Sequence, residues 1–306
     1  MAKSQDKAVN DYVLKVLGRK ACWPWIRDAL GDWIVIALTL YGAGLWNNPA
    51  GYVLAVFILG NRQHALALLG HEGTHYAIHK NRRINDAISD VLGMWMVGLT
   101  TSGYRNIHFE HHKHLNTEHD PELMHRSSKA PQWDLPITVK KIMAYAALDM
   151  VGYSVSDYLM IVRSAKPDSR LVYIPMALMH LTFIGVLIAA GQAWVPALWY
   201  LSLMTSFMMF FRIRTWLEHQ GSDDTHRLTL TPLQSAIFAP HDSWYHYEHH
   251  SYPSVPHRRL GLVRRLVTEE PVITMHDLMR KYKAAAAIRS GTALKGSSEG
   301  ALKQAA

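Results

Sequence analysis

Nineteen histidines give this chain of 306 residues its most distinctive chemistry. His71 and His75 lie four residues apart, and the pattern His-x-x-His-His occurs twice, at 108–112 and at 246–250. Residues three and four apart share one face of a helix, so each motif would present its imidazoles in one direction. Imidazole binds iron, zinc, copper and nickel well, and magnesium and calcium poorly. The spacing therefore predicts transition-metal binding.

The number of clustered histidines indicates two metals rather than one. One tetrahedral zinc uses four ligands, whereas two metals with four or five nitrogens each would use nine imidazoles and leave room for oxygen. His219, beside Glu218, brings the clustered set to nine. The predicted ligands are His71, His75, His108, His111, His112, His219, His246, His249 and His250.

Other histidines and several acids lie near these motifs without following their spacing. Metal-bound imidazoles usually donate their second N–H to a carboxylate or a carbonyl, which fixes the ring. We expect His241 to support a ligand rather than to be a tenth one, and His114 and His257 to form local hydrogen bonds. The candidates for supporting roles are His241, Glu72, Glu110, Asp120, Glu218, Glu248, His64 and His79. For the acids, the alternative is a solvated or purely structural role.

Two long uncharged runs indicate a membrane-embedded scaffold. Residues 33–60 and 171–211 contain no Asp, Glu, Lys or Arg. A helix needs about 20 apolar residues to cross a bilayer. The runs and their flanks therefore predict four spans, at about 29–46, 51–70, 171–190 and 193–212, with turns at 47–51 and 191–192. Buried helices of a soluble bundle are the alternative, but they would still need a polar face.

The charge distribution predicts which side of the membrane the histidines face. The net charge is +8, and the basic residues lie outside the two tight turns. By the positive-inside rule, both termini and the long segment between the two pairs of spans are cytoplasmic. Both histidine-rich segments then face the cytoplasm. The sequence has no basic–aromatic motif for nucleic acid, and its single cysteine, Cys22, excludes an intrachain disulfide framework.

These features predict an all-α, multi-pass integral membrane protein. Its four transmembrane helices would form two hairpins, with a cytosolic helical cap that carries the histidine motifs. Residues 1–28 would form a cytosolic amphipathic segment with Val9, Val13, Val16 and Leu17 on one side, and residues 29–283 the membrane domain. Within it, 87–99 and 139–162 would be interfacial helices. Residues 284–306, rich in Ala, Gly, Ser and Lys, would be a disordered tail.

The histidine motifs and their flanks resemble the three histidine boxes of the membrane fatty acid desaturase superfamily. The boxes read HEGTH at 71–75, HFEHH at 108–112 and HYEHH at 246–250, and Asp-Pro-Glu follows the second box. The resemblance runs from about His64 to Leu260, and His219 matches the family's additional histidine by position. Thr215 stands where acyl-CoA desaturases have an asparagine.

The resemblance implies an O2-dependent oxidoreductase with two non-haem iron ions and O2 as co-substrate. Its substrate would be a fatty-acyl or other lipid-like chain, which it would desaturate. A hydroxylase or ketolase of a hydrophobic substrate on the same di-iron scaffold is the alternative. No catalytic residue beyond the metal ligands is predicted.

The electrons would have to come from another protein, because the sequence contains no flavin or haem motif. We expect an external electron donor of the ferredoxin or cytochrome type. The candidate docking residues are Arg258, Arg259, Arg264 and Arg265, for which contact with lipid head groups is the alternative.

Two other functional classes are compatible with part of the pattern. His71 to His75 formally matches the HExxH motif of zinc metalloproteases, but a protease would leave both HxxHH triplets unexplained. A non-catalytic membrane metal-binding receptor would show no reductant-dependent oxygen use. The sequence leaves the carrier open among acyl-lipid, acyl-CoA, acyl-carrier protein and a non-fatty amphiphile.

Overall fold

The computed structural model describes residues 7–129, 132–134, 137–222, 224–267 and 270–289, and most of this length is helical. Helix α1 (Lys7–Tyr12) continues as a π-helical turn over Val13–Leu17 and ends at Gly18. Val13 and Leu17 are buried, whereas Val16 is exposed. Of the residues predicted to share one side of this segment, Val13 and Leu17 are thus on the buried side and Val16 is not.

In the described part of the chain, four apolar helical segments are long enough to cross a bilayer, as predicted. They are α2 (Cys22–Trp46), α3 (Pro49–Thr74), α9 (Tyr173–Ala189, preceded by a 3-10 turn at Arg170–Val172) and the pair α10 (Trp194–Met204) and α11 (Ser206–Glu218). Much of the apolar surface of α2 and α9 is exposed, including Leu38 and Leu181. A bilayer would cover such a surface, which suggests an integral membrane protein.

Three of these segments extend beyond the predicted limits. The first begins at Cys22 rather than at 29, the second continues to Thr74, and the fourth continues to Glu218. These helices continue past charged residues, because those charges are paired. In the first extension, Asp28 lies 3.1 Å from His257, and in the last, Glu218 lies 2.8 Å from Arg214.

Helix α3 is central to the bundle and packs against α2, α10 and α11. Gly60 permits the approach of α11, since a Cβ there would lie 2.0 Å from Ser206 Oγ. Ser206 Oγ in turn donates a hydrogen bond to Val56 O at 2.6 Å. Small residues at such crossings are typical of helices that pack within membranes.

Short helices fill the segment between the second and third spans. These are α4 (Arg82–Ser89), a π turn at Asp90–Met94, a 3-10 turn at Trp95–Val97, α5 (Thr101–His114), α6 (Pro121–Ser128), α7 (Val139–Asp149) and α8 (Val155–Ser164). The single helix predicted over 139–162 is wrong, because the chain turns between α7 and α8 at Gly152, where φ is +87°.

After the last span, the described residues form four more helices and a minimal sheet. The helices are α12 (Pro232–Phe238), α13 (His246–Ser251), α14 (His257–Leu266) and α15 (Met275–Arg289). Strands β1 (Leu228–Thr229) and β2 (Ile273–Thr274) pair in parallel, a small exception to the all-α prediction. Because α15 runs to Arg289, the tail predicted from 284 cannot begin there, and 290–306 lie outside the described residues.

Candidate metal centre

The nine predicted ligands lie together in two adjacent groups. In the first group, one ring nitrogen from each histidine lies within 4.8 Å of all the others, and the members are His71, His75, His108, His112 and His249. In the second group, ring nitrogens of His111, His219 and His250 also lie within 4.8 Å of one another. His246 completes the second group, since its Nε2 lies 2.8 Å from His219 Nε2 and 3.0 Å from His250 Nε2.

Both HxxHH triplets are divided between the two groups. On α5, His108 and His112 join the first group, whereas His111 joins the second. On α13, His249 joins the first group, and His250 joins the second. The expectation that each triplet points in one direction is therefore wrong. Positions i and i+4 lie on one side of the helix and i+3 lies far enough around it to face a neighbouring site.

The distances inside the first group fit a shared metal better than hydrogen bonds. His108 Nε2 lies 2.8 Å from His71 Nε2, 3.0 Å from His75 Nε2 and 2.9 Å from His112 Nε2. A neutral imidazole nitrogen has either one hydrogen to donate or one lone pair, so it cannot satisfy three such neighbours. Nitrogens that bind one metal at about 2.1 Å, at right angles, would lie about 3.0 Å apart. The donor set therefore suits a nitrogen-rich transition-metal site.

Burial supports the same interpretation. His111 Nε2 and His249 Nε2 are buried without a hydrogen-bond partner among the described residues. Burial and the neighbouring imidazoles hold the pKa of His108 and His249 well below the usual range. These rings are therefore neutral, which is the form that binds metal.

Asp120 supports the second group from α6. Its Oδ1 lies 2.9 Å from His111 Nδ1, and both side chains are buried. Asp120 also accepts the backbone N–H of Asn116 and of Glu122, each at 2.9 Å. Although burial lowers the pKa of His111, Glu122 and Asp120 outweigh it and raise the pKa above the ordinary value. Asp120 thus fixes the ring and leaves Nε2 directed away from it.

Glu218 and Arg214 lie beside His246 of the second group, at the end of α11, and Glu218 could itself share a metal with His219 and His246. Glu218 Oε2 lies 3.5 Å from His246 Nε2, and Arg214 Nε lies 2.8 Å from Glu218 Oε1. Arg214 Nη2 also lies 3.4 Å from His246 Nδ1. Sequence reasoning proposed Glu218 but missed Arg214. The spacing of four residues between them on one helix was the signal that could have identified the pair.

Two of the other proposed supports contact partners other than the nine histidines. Glu72 accepts hydrogen bonds from the backbone N–H and from Nδ1 of His257, the latter at 2.7 Å. Glu248 is paired with Arg227 and Arg264, each at 2.7 Å. These acids thus hold the segment around the third box in place rather than orienting a ligand ring.

The remaining candidates are also placed elsewhere. Glu110 is exposed and lies 3.5 Å from His114. His64 stacks on Phe210 within the helix bundle, and His79 Nδ1 accepts a hydrogen bond from the backbone of Asn81.

His241 and His257 form a charged network beside the metal centre. His241 Nε2 lies 2.6 Å from Asp32 Oδ2, and His257 Nε2 lies 3.1 Å from Asp28 Oδ2. Burial lowers the pKa of His257, but Glu72 and Asp28 outweigh it and raise the pKa to about 9. A protonated imidazole donates from both nitrogens, which fits the contacts of His257 with Glu72 and Asp28. His241 thus contacts Asp32 of the first span instead of one of the nine predicted ligands.

A cavity of about 420 Å³ lies one aromatic ring away from the first group. Tyr104 lines it and stacks on His108, with ring centroids 5.4 Å apart and planes 9° apart. Ile161 and Phe211 are among its apolar walls. Thr215 also lines it, and its hydroxyl donates to Phe211 O at 2.9 Å, a local bond within α11. The cavity could hold an apolar molecule close to the histidines.

Three of the four arginines proposed for docking an electron donor are used within the fold. Arg258 pairs with Asp28 and Arg264 with Glu248, while Arg259 donates to backbone carbonyls near the N-terminus. Arg265 is exposed. The docking surface inferred from sequence is therefore smaller than expected.

Comparison with known proteins is consistent with this site. The family model for fatty acid desaturases matches residues 47–279, so the chain belongs to the fatty acid desaturase family. A beta-carotene ketolase of Paracoccus sp. (strain PC1) is 26% identical over 245 residues, which cover 76% of this chain and 88% of that protein. The family resemblance is thus confirmed, and it accounts for the HxxHH triplets that a zinc protease leaves unexplained.

Proposed function

We propose that the protein is an O2-dependent di-iron membrane oxidoreductase that oxidises an apolar substrate. The observation that carries this proposal is the convergence of nine imidazoles in two adjacent groups next to an apolar cavity. The first group of five and the second group of four would each hold one iron ion. Bound iron would supply the oxidation of an unactivated C–H bond by dioxygen.

The protein's own residues would bind and orient the substrate and keep the site ordered. Apolar walls such as Ile161 and Phe211 would bind the substrate's chain, and Tyr104, which also lines the cavity, stacks on the ring of His108. Asp120 holds His111 of the second group by its Nδ1, so that this ring would keep its position during turnover. Thr215, held by Phe211 O, contributes a small side chain to the cavity wall.

Two reactions fit this arrangement. Desaturation of a fatty-acyl or similar chain is the first candidate, and the family match supports it. Ketolation or hydroxylation of a hydrophobic substrate is the second, and the beta-carotene ketolase relative favours it. Both need electrons from a ferredoxin or cytochrome, and both fit an orientation in which the histidine groups and the termini are cytoplasmic.

Metal analysis and oxygen uptake test this proposal. The purified protein should contain about two irons per chain, and its oxygen uptake should require a reductant. His249→Ala should lose iron and activity, whereas His276→Ala, in an exposed position, is the control. One zinc per chain without oxygen uptake would overturn the proposal in favour of a protease. Mass spectrometry of lipids from cells with and without the gene separates loss of two hydrogens from gain of oxygen.

A further inference from the structure

Two histidines outside the nine predicted ligands lie together with an acid of the first span. One ring nitrogen of His241, one of His257 and a carboxylate oxygen of Asp28 all lie within 4.8 Å of one another. His257 Nε2 lies 3.1 Å from Asp28 Oδ2. Two ligands of one tetrahedral zinc ion, each at about 2.0 Å from it, lie about 3.3 Å apart. These side chains could therefore bind one metal ion with only small movements.

A further carboxylate fixes each of the two rings. Glu72 Oε2 lies 2.7 Å from His257 Nδ1, and Asp32 Oδ2 lies 2.6 Å from His241 Nε2. Histidines that bind metal commonly use their other ring nitrogen on a carboxylate in this way. The side chains of His241 and His257 are only 14% and 11% exposed, and that of Asp28 is 4% exposed. The three donors are thus held in place and largely buried.

The turn that carries His241 has an unusual backbone. His241 and Asp242 are consecutive and have φ of +57° and +56°, in the left-handed region that residues other than glycine rarely adopt. Such a conformation persists only where the surrounding contacts require it, and it is common at ligand sites. Here the turn brings the ring of His241 to the first span, 209 residues away from it in sequence.

An open cavity gives an ion access to these side chains. Its volume is about 550 Å³, and His241, His257 and Arg258 are among the residues that line it. Arg258 also pairs with Asp28, so its guanidinium leaves little room for an octahedral ion, which would need three ligands beyond the protein's own. Zinc needs only one more ligand, which water from the cavity can supply. The donor set therefore suits zinc better than iron.

We propose that Asp28, His241 and His257 bind one zinc ion at a third metal site, separate from the two histidine groups. His241 precedes the third box (246–250) and His257 follows it, so the ion would tie both ends of that segment to the first span. On binding, zinc would displace the proton on His257 Nε2 and take its place between that nitrogen and Asp28. The site goes beyond the proposed function and requires no iron.

Metal analysis of the purified full-length protein tests the inference. The parent, His241→Ala and His257→Gln are equilibrated with a small excess of zinc and passed through a desalting column. Zinc and iron are then measured in the same sample. The parent should retain one zinc ion per chain more than either variant, with equal iron in all three. Loss of one of three ligands should weaken zinc binding by more than about 100-fold, the upper end of the range for loss of a supporting group.

His125→Ala is the matched control. His125 Nε2 lies 3.7 Å from a buried acid, Asp157, and the histidine side chain is 14% exposed, as is that of His241. A cation, Lys129, also lies 3.4 Å from Asp157. Among the described residues, however, His125 is not part of a group of three metal-binding side chains. Its substitution should leave the zinc content of the protein equal to that of the parent.

Thermal unfolding gives a second readout, because an ion that binds only the folded protein stabilises it. Zinc should raise the unfolding temperature of the parent more than that of His241→Ala or His257→Gln. If one variant does not fold, the other decides.

Equal zinc content and equal stabilisation in the parent and the folded variants would overturn the inference. So would one more iron, rather than one more zinc, in the parent than in the variants. The metals of the two histidine groups cancel in this comparison. Two irons without a zinc difference would therefore refute only the third site, whereas a zinc difference in samples that contain no iron would refute only the proposed function.

Discussion

Replacing Asp120 should weaken metal binding in the second histidine group much more than in the first. Its carboxylate lies 2.9 Å from His111 Nδ1, and the two side chains are 0% and 1% exposed. Asp120→Ala would leave that buried N–H unpaired and the ring free to turn. Loss of such a supporting group typically costs 10- to 100-fold in metal affinity. We expect about 100-fold for Asp120→Ala.

Asp120→Asn removes the negative charge of the side chain and keeps its shape, so it tests how much each contributes to iron affinity. An amide has one oxygen, whereas Asp120 uses both of its oxygens, one for His111 and one for the backbone N–H of Asn116. One of these donors therefore loses its acceptor, and the negative charge disappears. We expect about a tenfold loss of affinity, at the lower end of the usual range.

The assay is a titration of metal-free protein with ferrous iron, with bound iron measured against free iron. The parent should give two binding steps, and only one should shift in the Asp120 variants. Asp120 is also the N-cap of α6, and loss of a cap costs about 1 kcal/mol. Asn81→Ala is the control, because it removes the N-cap of α4 without touching the nine histidines. An equal shift of both steps, or the same shift in Asn81→Ala, would refute the reasoning.

Three further predictions follow from other contacts. His241→Ala should retain iron, because His241 contacts Asp32 rather than the nine predicted ligands. If metal analysis shows that this variant loses as much iron as His249→Ala does, His241 is a tenth ligand. Gly60→Ala should lower the thermal unfolding temperature in detergent, since its Cβ would lie 2.0 Å from Ser206 Oγ. Gly185→Ala should leave that temperature unchanged, because a Cβ at Gly185 would meet no atom within 4 Å. Reporter fusions at Lys166 and at the C-terminus should both give cytoplasmic signals and a fusion at Asn48 should not; opposite signals at the first two would exclude the proposed orientation.

The spans and their turns could be predicted from sequence because apolar length and turn residues are local properties. The turn at 47–51 has Asn47 in the left-handed region at φ +40° and Asn48 as N-cap of α3, and Gly191 has φ +73° in the second turn. The limits of the spans could not be predicted, because helices continue through charges whose partners are distant in sequence. Asp28 illustrates this, because it lies in the missed first turns of the first segment and its partner His257 is 229 residues away.

The candidate ligands could be selected by spacing, but their division between two groups could not. His108 and His111 are three residues apart, and the sequence treats them as one set, yet they join different groups. That division depends on where α3, α11 and α13 place the other histidines. The partners of Glu72 and Glu248 were likewise set by tertiary contacts with His257 and Arg227.

The pairing of Asp28 has a consequence for biogenesis. Asp28 is buried on the first apolar helix, and its partners His257 and Arg258 follow it by 229 and 230 residues. At about 5–20 residues per second, the ribosome produces those partners about 10–45 s after Asp28. Until then, the first helix carries an acid without its final counter-charge. The first helix therefore reaches its final contacts only when residues 257 and 258 have been synthesised and have docked against it.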